Sequence, residues 1–275
     1  MLNIINSIFF YPLKKTLLTG IDGHIGKNNV YICGYPISGN SWIAYLVSYV
    51  LNCRYFDIDS KEWSKQRKGL RKYLVGKNKH IKSKKFDWVL KTHAIPCNLT
   101  ISKNDKVVYI IRNIRDVVNS QFHRFEKTLP HSNKKLISLT AKSLKFIIPF
   151  RIRYKYLTRA FAQEWAEHIN NTIKSDIFIV SYEDIYENPL IELKKLIYYL
   201  DPLSYDEKTI KEALEVFSFS NMKESAKQTI DGSLLTDRIG GYGDWKNYFT
   251  SDDNQWFEDN YDEILKKIKP IKEKV

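Results

Sequence analysis

Residues 33–42, CGYPISGNSW, set Ser38, Gly39, Asn40 and Ser41 between a short apolar run and a segment of helical spacing. Successive backbone N–H groups in a glycine-bearing turn, followed by a helix N-terminus, hold a phosphate or sulfate through hydrogen bonds and the helix dipole. Against the phosphate-binding pattern G-x-x-x-x-G-K-[ST], Gly34, Gly39 and Ser41 fit, and Asn40 stands where the lysine belongs. The loop suits an anion but brings no cation of its own. Other residues supply what it lacks: Lys91 and His93 close one apolar run, and Arg112 closes another. They offer two fixed positive charges and one imidazole able to accept a proton near neutral pH.

The elements that must position these residues alternate. NNVYICGY, FDWVLKTH (86–93), DKVVYIIRN (105–113) and DIFIVSYED are continuous apolar runs of the kind buried on both faces of a parallel sheet. SWIAYLVSYVLN, RDVVNSQFHRFEK, LTRAFAQEWAEHINNTI and NPLIELKKLIYYLD carry helical spacing, with Pro189 suited to a first turn. Strands alternating with helices predict an α/β fold with a central, mainly parallel sheet flanked by helices. Ligands of such sheets sit at the carboxyl ends of the strands. Topology alone therefore nominates Tyr35 to Ser41, Lys91 to His93, Arg112–Asn113 and Ser181–Tyr182.

The chain has 275 residues, 43% of them hydrophobic, and no linker, internal repeat or Gly/Ser-rich tract divides it. One domain over 1–275 is expected, with its core motifs within about 30–265 and residues 1–28 as an N-terminal extension. The net charge of +13 points to anionic partners. It is concentrated in 61–85, which has eleven Lys/Arg against one Glu, and in 127–163, which has no acid. A solvated basic face is the favoured reading of both runs; an acidic acceptor or a membrane surface is the other. No nucleic-acid-binding motif accompanies the charge, so nucleic acid is not expected as a partner. Cys33, Cys53 and Cys97 are odd in number and form no CxxC pair, which reads as reduced thiols in a cytoplasmic protein and excludes a cysteine-pair metal site. The opening MLNIINSIFFYPLKK lacks the basic start of a signal peptide and is too short to span a bilayer. A first helix packed on the domain is the favoured reading of it, a peripheral membrane contact the second.

Taken in order, six segments resemble the sulfotransferase family. YPISGNSW is similar to that family's phosphosulfate loop, KTHAIP to its KTHLP segment, and KVVYIIRNIRDVVNSQFHRF to the strand and helix that hold a 3′-phosphate. VSYEDIYENP, FSFSNM and RIGGYGDWKNYFT resemble its YEDM-x-x-x-P, TSF-x-x-M and RKGxxGDWKNxFT segments. The resemblance implies a P-loop-related fold and a donor, 3′-phosphoadenosine 5′-phosphosulfate (PAPS), that leaves as 3′-phosphoadenosine 5′-phosphate (PAP). It implies that Ser38, Gly39, Asn40 and Ser41 cradle the 5′-phosphosulfate and that Trp42 stacks on adenine, with Tyr182, Ser218 and Phe219 completing that pocket. Arg112, Ser120, Arg238 and Gly240 would take the 3′-phosphate. His93 would be the general base toward an acceptor hydroxyl, and Lys91 the cation beside the sulfonate, with no metal required.

Two positions depart from the family pattern. Ile37 stands where its loop lysine belongs, and Ile239 replaces the lysine of its RKG. The expected activity is PAPS-dependent O-sulfotransfer to a hydroxyl acceptor, a saccharide, glycoconjugate or small alcohol. A binding protein that holds PAPS, PAP or an anionic glycan without transfer stays open on the strength of Ile37. A nucleotide kinase is disfavoured by Asn40 and by the RIGGYGDWKN segment.

Overall fold

The computed structural model describes residues 28–59, 85–128, 147–172, 177–204, 206–222 and 241–272. Five strands, β1 (Asn29–Gly34), β2 (Arg54–Asp57), β3 (Trp88–Thr92), β4 (Lys106–Ile111) and β5 (Phe178–Ser181), form one sheet in the order β2-β3-β1-β4-β5. Every neighbouring pair is parallel. The helices are α1 (Asn40–Val50), α2 (Ile114–Thr128), α3 (Phe150–Thr172), α4 (Tyr182–Glu187), α5 (Pro189–Leu200), α6 (Glu207–Val216) and α7 (Ser251–Lys272). The expected α/β architecture is present, with β1 at its centre.

Strand alternation explains the layers. Val30, Ile32, Val89, Val108, Ile110 and Val180 point to one face, where α1, α5 and α6 cover them with Ile43, Leu46, Leu196 and Ile210. Tyr31, Cys33, Leu90, Tyr109, Ile111 and Ile179 point to the other, under Val117 and Phe122 of α2, Trp165 of α3 and Phe257 of α7. Side chains such as Ile43 and Leu46, at 0% exposure, each contribute about 1.5–3 kcal/mol by leaving water. Such two-sided burial is why the strands read as unbroken apolar runs.

The chain leaves β1 toward β2 and β3, then crosses back over β1 to β4, so its direction switches at the carboxyl end of β1. Register keeps the strand ends level: Cys33 pairs with Thr92, Gly34 with Ile110, and Ile111 with Ser181. The loop after Gly34, His93 after β3, Arg112 after β4 and Tyr182 after β5 therefore emerge along one edge, where parallel sheets bind ligands.

Candidate active site

Gly39 starts α1 from the left-handed region, φ 91°. A Cβ there would lie 2.4 Å from Tyr182 Cδ2, so glycine is what lets the loop pack on the Tyr182 ring. The turn is closed by Ser38 N–H donating to the Tyr35 carbonyl at 3.2 Å. Ile37, between them, also has positive φ, 69°, a conformation unfavourable for a β-branched residue. Its carbonyl accepts from Arg112 Nη1 at 3.0 Å, which fastens the loop to the end of β4. Ser38 Oγ is buried with no hydrogen-bond partner, and Ser41 is half-buried on the first turn of α1.

Arg112 is held by backbone, not by acids. Nη1 donates to Ile37, Nη2 donates to the Gly241 carbonyl at 2.7 Å, and the guanidinium lies 4.3 Å over the Tyr182 ring. No carboxylate among the described residues forms an ion pair with it, and its buried Nε has no partner. A fixed guanidinium with an orphan donor suits an added anion. Gly243 N–H donates to both Asp116 oxygens, at 2.8 and 3.0 Å, so the segment from Gly241 onward is tied to the start of α2 beside Arg112. Ser120 is half-buried, two turns along the same helix. Arg238 and Gly240, expected to join them, lie outside the described residues, as do residues 61–84 and 129–146 of the basic runs.

An aromatic group flanks the loop. Trp42 lies 4.9 Å from Phe219 and 5.8 Å from Tyr182, ring centre to ring centre. Its Nε1 donates to the Phe217 carbonyl at 2.9 Å, which fixes the indole plane. Ser218, between the two phenylalanines, is half-buried with Oγ 3.1 Å from Ser220 Oγ. Planar rings at these positions give an apolar, polarisable surface for a base.

His93 sits on the opposite side of the loop. Lys91 Nζ lies 2.8 Å from His93 Nε2; an ammonium only donates, so Nε2 accepts, and Nδ1 carries the hydrogen and donates to the Gly34 carbonyl at 2.9 Å. Asn40, named for the loop, turns its side chain the other way: Nδ2 donates to the same carbonyl at 2.8 Å and abuts His93 Nδ1 at 3.0 Å. Its Oδ1 is buried with no hydrogen-bond partner. Burial, and next the charge of Lys91, hold the His93 pKa well below 6.5, so the imidazole is neutral.

Three polar residues were not legible as part of this group. Asp57 and Asp59 bind Lys91 Nζ at 3.2 and 3.1 Å. Lys91 is therefore not the uncompensated cation that its place at a strand end suggests: both carboxylates and His93 use its three donors. Burial raises the Asp57 pKa, with Lys91 opposing the shift. The third is His168 of α3, whose Nε2 donates to the His93 carbonyl at 3.0 Å and whose Nδ1 accepts from Tyr109 Oη at 2.6 Å. Register holds the one signal for the aspartates, since Asp57 pairs with Lys91 across β2 and β3.

Among the described residues no group of His, Cys, Asp or Glu is placed to hold a metal ion, and no helix is long and apolar enough to cross a membrane. An anion loop, an arginine with no acid partner among the described residues, an aromatic platform and a neutral histidine meet on one edge of a parallel sheet, an arrangement suited to an anionic ligand that carries a base. Residues 27–269 match the sulfotransferase domain model. The chain belongs to the sulfotransferase family, a family of transferases. It is 27% identical to sulfotransferase 1E1 of Rattus norvegicus over 271 residues, 89% of this chain and 85% of that one. It is 24% identical to a flavonol sulfotransferase-like protein of Flaveria bidentis over 277 residues, 92% and 86% of the two chains. Its fold matches mouse sulfotransferase SULT7A1, solved with PAP, at a TM-score of 0.60 and 21% identity, covering 92% of this chain and 90% of that one. Retinol dehydratase, solved with retinol and PAP, matches at a TM-score of 0.54 and 19% identity, covering 86% and 81%.

Proposed function

We propose that this protein is an O-sulfotransferase that moves a sulfonate from PAPS to an acceptor hydroxyl. The observation that carries the reading is Arg112: a guanidinium without an acid partner among the described residues, fastened to the anion loop, with a neutral imidazole two strands away. PAPS fits the residues present. The orphaned Ser38 Oγ and Arg112 Nε are polar groups that a bound phosphate would satisfy. The Ser38 hydroxyl and the backbone N–H groups of Gly39, Asn40 and Ser41 hold the 5′ end. Trp42, Tyr182, Ser218 and Phe219 hold the adenine; Arg112 and Ser120, with Arg238 and Gly240, hold the 3′-phosphate. When bound, the donor supplies an electrophilic sulfur whose leaving group is a phosphate.

His93 Nε2 takes the acceptor proton as the hydroxyl oxygen attacks sulfur in line. Lys91 supplies positive charge for the sulfonate in flight, which requires it to turn from Nε2 and the two aspartates. The acceptor we infer is a saccharide, glycoconjugate or small alcohol. One domain over 1–275 and a cytoplasmic setting fit three free thiols, two of them buried. The second reading, binding without transfer, draws on two observations: Ile37 in place of a loop lysine, and Lys91 engaged by acids. An acceptor screen with labelled PAPS, read by mass spectrometry, separates the two. Transfer predicts a sulfated product with PAP; donor binding without any product supports the second.

A further inference from the structure

Sulfonate transfer places a demand on the group around His93 that Lys91 alone does not meet. Asp59 touches every residue of the Lys91-Thr92-His93 strand end. Its Oδ2 accepts from His93 N–H at 2.8 Å and Lys91 Nζ at 3.1 Å, and its Oδ1 accepts from Thr92 Oγ1 at 3.2 Å. Thr92 Oγ1 in turn accepts from Ala94 N–H at 3.0 Å, and Asp59 N–H donates to Asp57 Oδ1 at 3.1 Å. Asp59 Oδ2 also lies 3.9 Å from His93 Nε2, the nitrogen whose lone pair Lys91 holds.

Building on the reading above, we propose that Asp59 is a positioning residue of the reaction: it sets Lys91 and His93 in register and, once Lys91 turns to the sulfonate, remains to balance the imidazolium. The reasoning is one of charge and place. Among the described residues, the titratable groups facing His93 are Lys91 from β3, Asp59 just after β2 and His168 from α3, with Asp57 behind Lys91. Two carboxylates and one ammonium leave the cluster with one net negative charge while His93 is neutral. In the step itself the acceptor oxygen forms a bond to sulfur and its proton passes to Nε2. The bond from sulfur to the bridging phosphate oxygen breaks, and its electron pair leaves with PAP. The proton brings the cluster to neutrality; without Asp59 the same proton would create an unpaired positive charge beside an ammonium. The arrangement also orders events, because Lys91 occupies the Nε2 lone pair until it has somewhere else to go.

Asp59→Asn keeps the shape and removes the charge. Its expected effect is a fall of about 10- to 100-fold in kcat, the scale of one charge-assisted hydrogen bond, with PAP affinity unchanged as the check on folding. Asp59→Glu should recover part of the loss. A readout independent of turnover uses 15N-labelled histidine in the protein without nucleotide. With Lys91→Met as background, adding Asp59→Asn should lower the His93 titration midpoint by about one pH unit. Should wild type transfer no sulfonate while this shift is present, the charge balance stands and the transferase reading fails. An Asp59→Asn enzyme with wild-type kcat, or an unmoved midpoint, overturns the proposal.

Discussion

Gly39→Ala tests how the loop is built, and its cost has two separable parts. The backbone at Gly39 is at φ 91°, so an L side chain there carries about 1–2 kcal/mol of local strain. The new methyl would also meet Tyr182 Cδ2 at 2.4 Å and Cε2 at 2.8 Å. That ring has little room to retreat: it is 3% exposed, lies under the Arg112 guanidinium and contacts Trp42. Overpacking of this kind costs about 1–3 kcal/mol. The two parts together predict about 2–5 kcal/mol of lost stability, read as a lower urea midpoint at constant slope. Displacing Tyr182 also drags Arg112 and Trp42, so PAP affinity should fall with stability. A double-mutant cycle separates the parts: in a Tyr182→Ala background the steric part disappears and Gly39→Ala should cost only about 1–2 kcal/mol. If Gly39→Ala costs less than about 0.5 kcal/mol, or costs as much without the ring as with it, the packing argument is wrong.

Other perturbations reach other parts of the account. His93→Ala should lower turnover by about 100- to 10,000-fold while leaving PAP affinity within about twofold; steady-state kinetics and calorimetry together check this. Ile37→Lys restores a cation near the leaving phosphate and should raise kcat by at least about tenfold; an unchanged or lower kcat would show that another cation already serves there. His168 is 1% exposed and held neutral by burial, while an unfolded imidazole takes a proton near pH 6.5. Its contribution to stability is therefore full above pH 6.5 and lost as the pH falls below that. Between pH 7.5 and 5.5, wild type should lose more stability than His168→Gln in urea melts. Comparing the two proteins cancels the opposite contributions of Asp57 and Glu164, whose pKa values burial raises.

Much of the architecture was legible because the strands are buried on both faces. β1, β3, β4 and β5 stand out as apolar runs, and the residues after them are the ones that meet at the sheet edge. β2 did not stand out: Arg54 is exposed, Phe56 alone of its four residues is buried, and the charged Arg54 and Asp57 leave only two apolar residues between them. Missing β2 meant missing Asp57 and Asp59, because nothing local links them to Lys91 until β2 pairs with β3. Lys91 therefore carries two carboxylate partners that no local pattern shows. α3 begins at Phe150, seven residues before the expected start, since its first turns carry exposed Phe150, Ile152 and Tyr156 instead of a clean apolar stripe. The run DIFIVSYED becomes strand only to Ser181. There the Ser181 hydroxyl accepts from Asp184 N–H and starts α4, placing Tyr182 at the strand end and not within the strand. α6 and α7 gave amphipathic patterns too mixed with charge to be singled out, although α6 is capped by Asp206.

The proposed function requires this edge of the sheet to read a 3′-phosphorylated adenine nucleotide. Isothermal calorimetry of the wild-type chain with PAP and with AMP tests it most directly, because the two differ by one phosphate and need no acceptor. Charge-assisted hydrogen bonds to Arg112 and its neighbours, each worth about 1.5–3 kcal/mol, predict that PAP binds about 100-fold more tightly. Equal affinity for the two nucleotides would contradict the account.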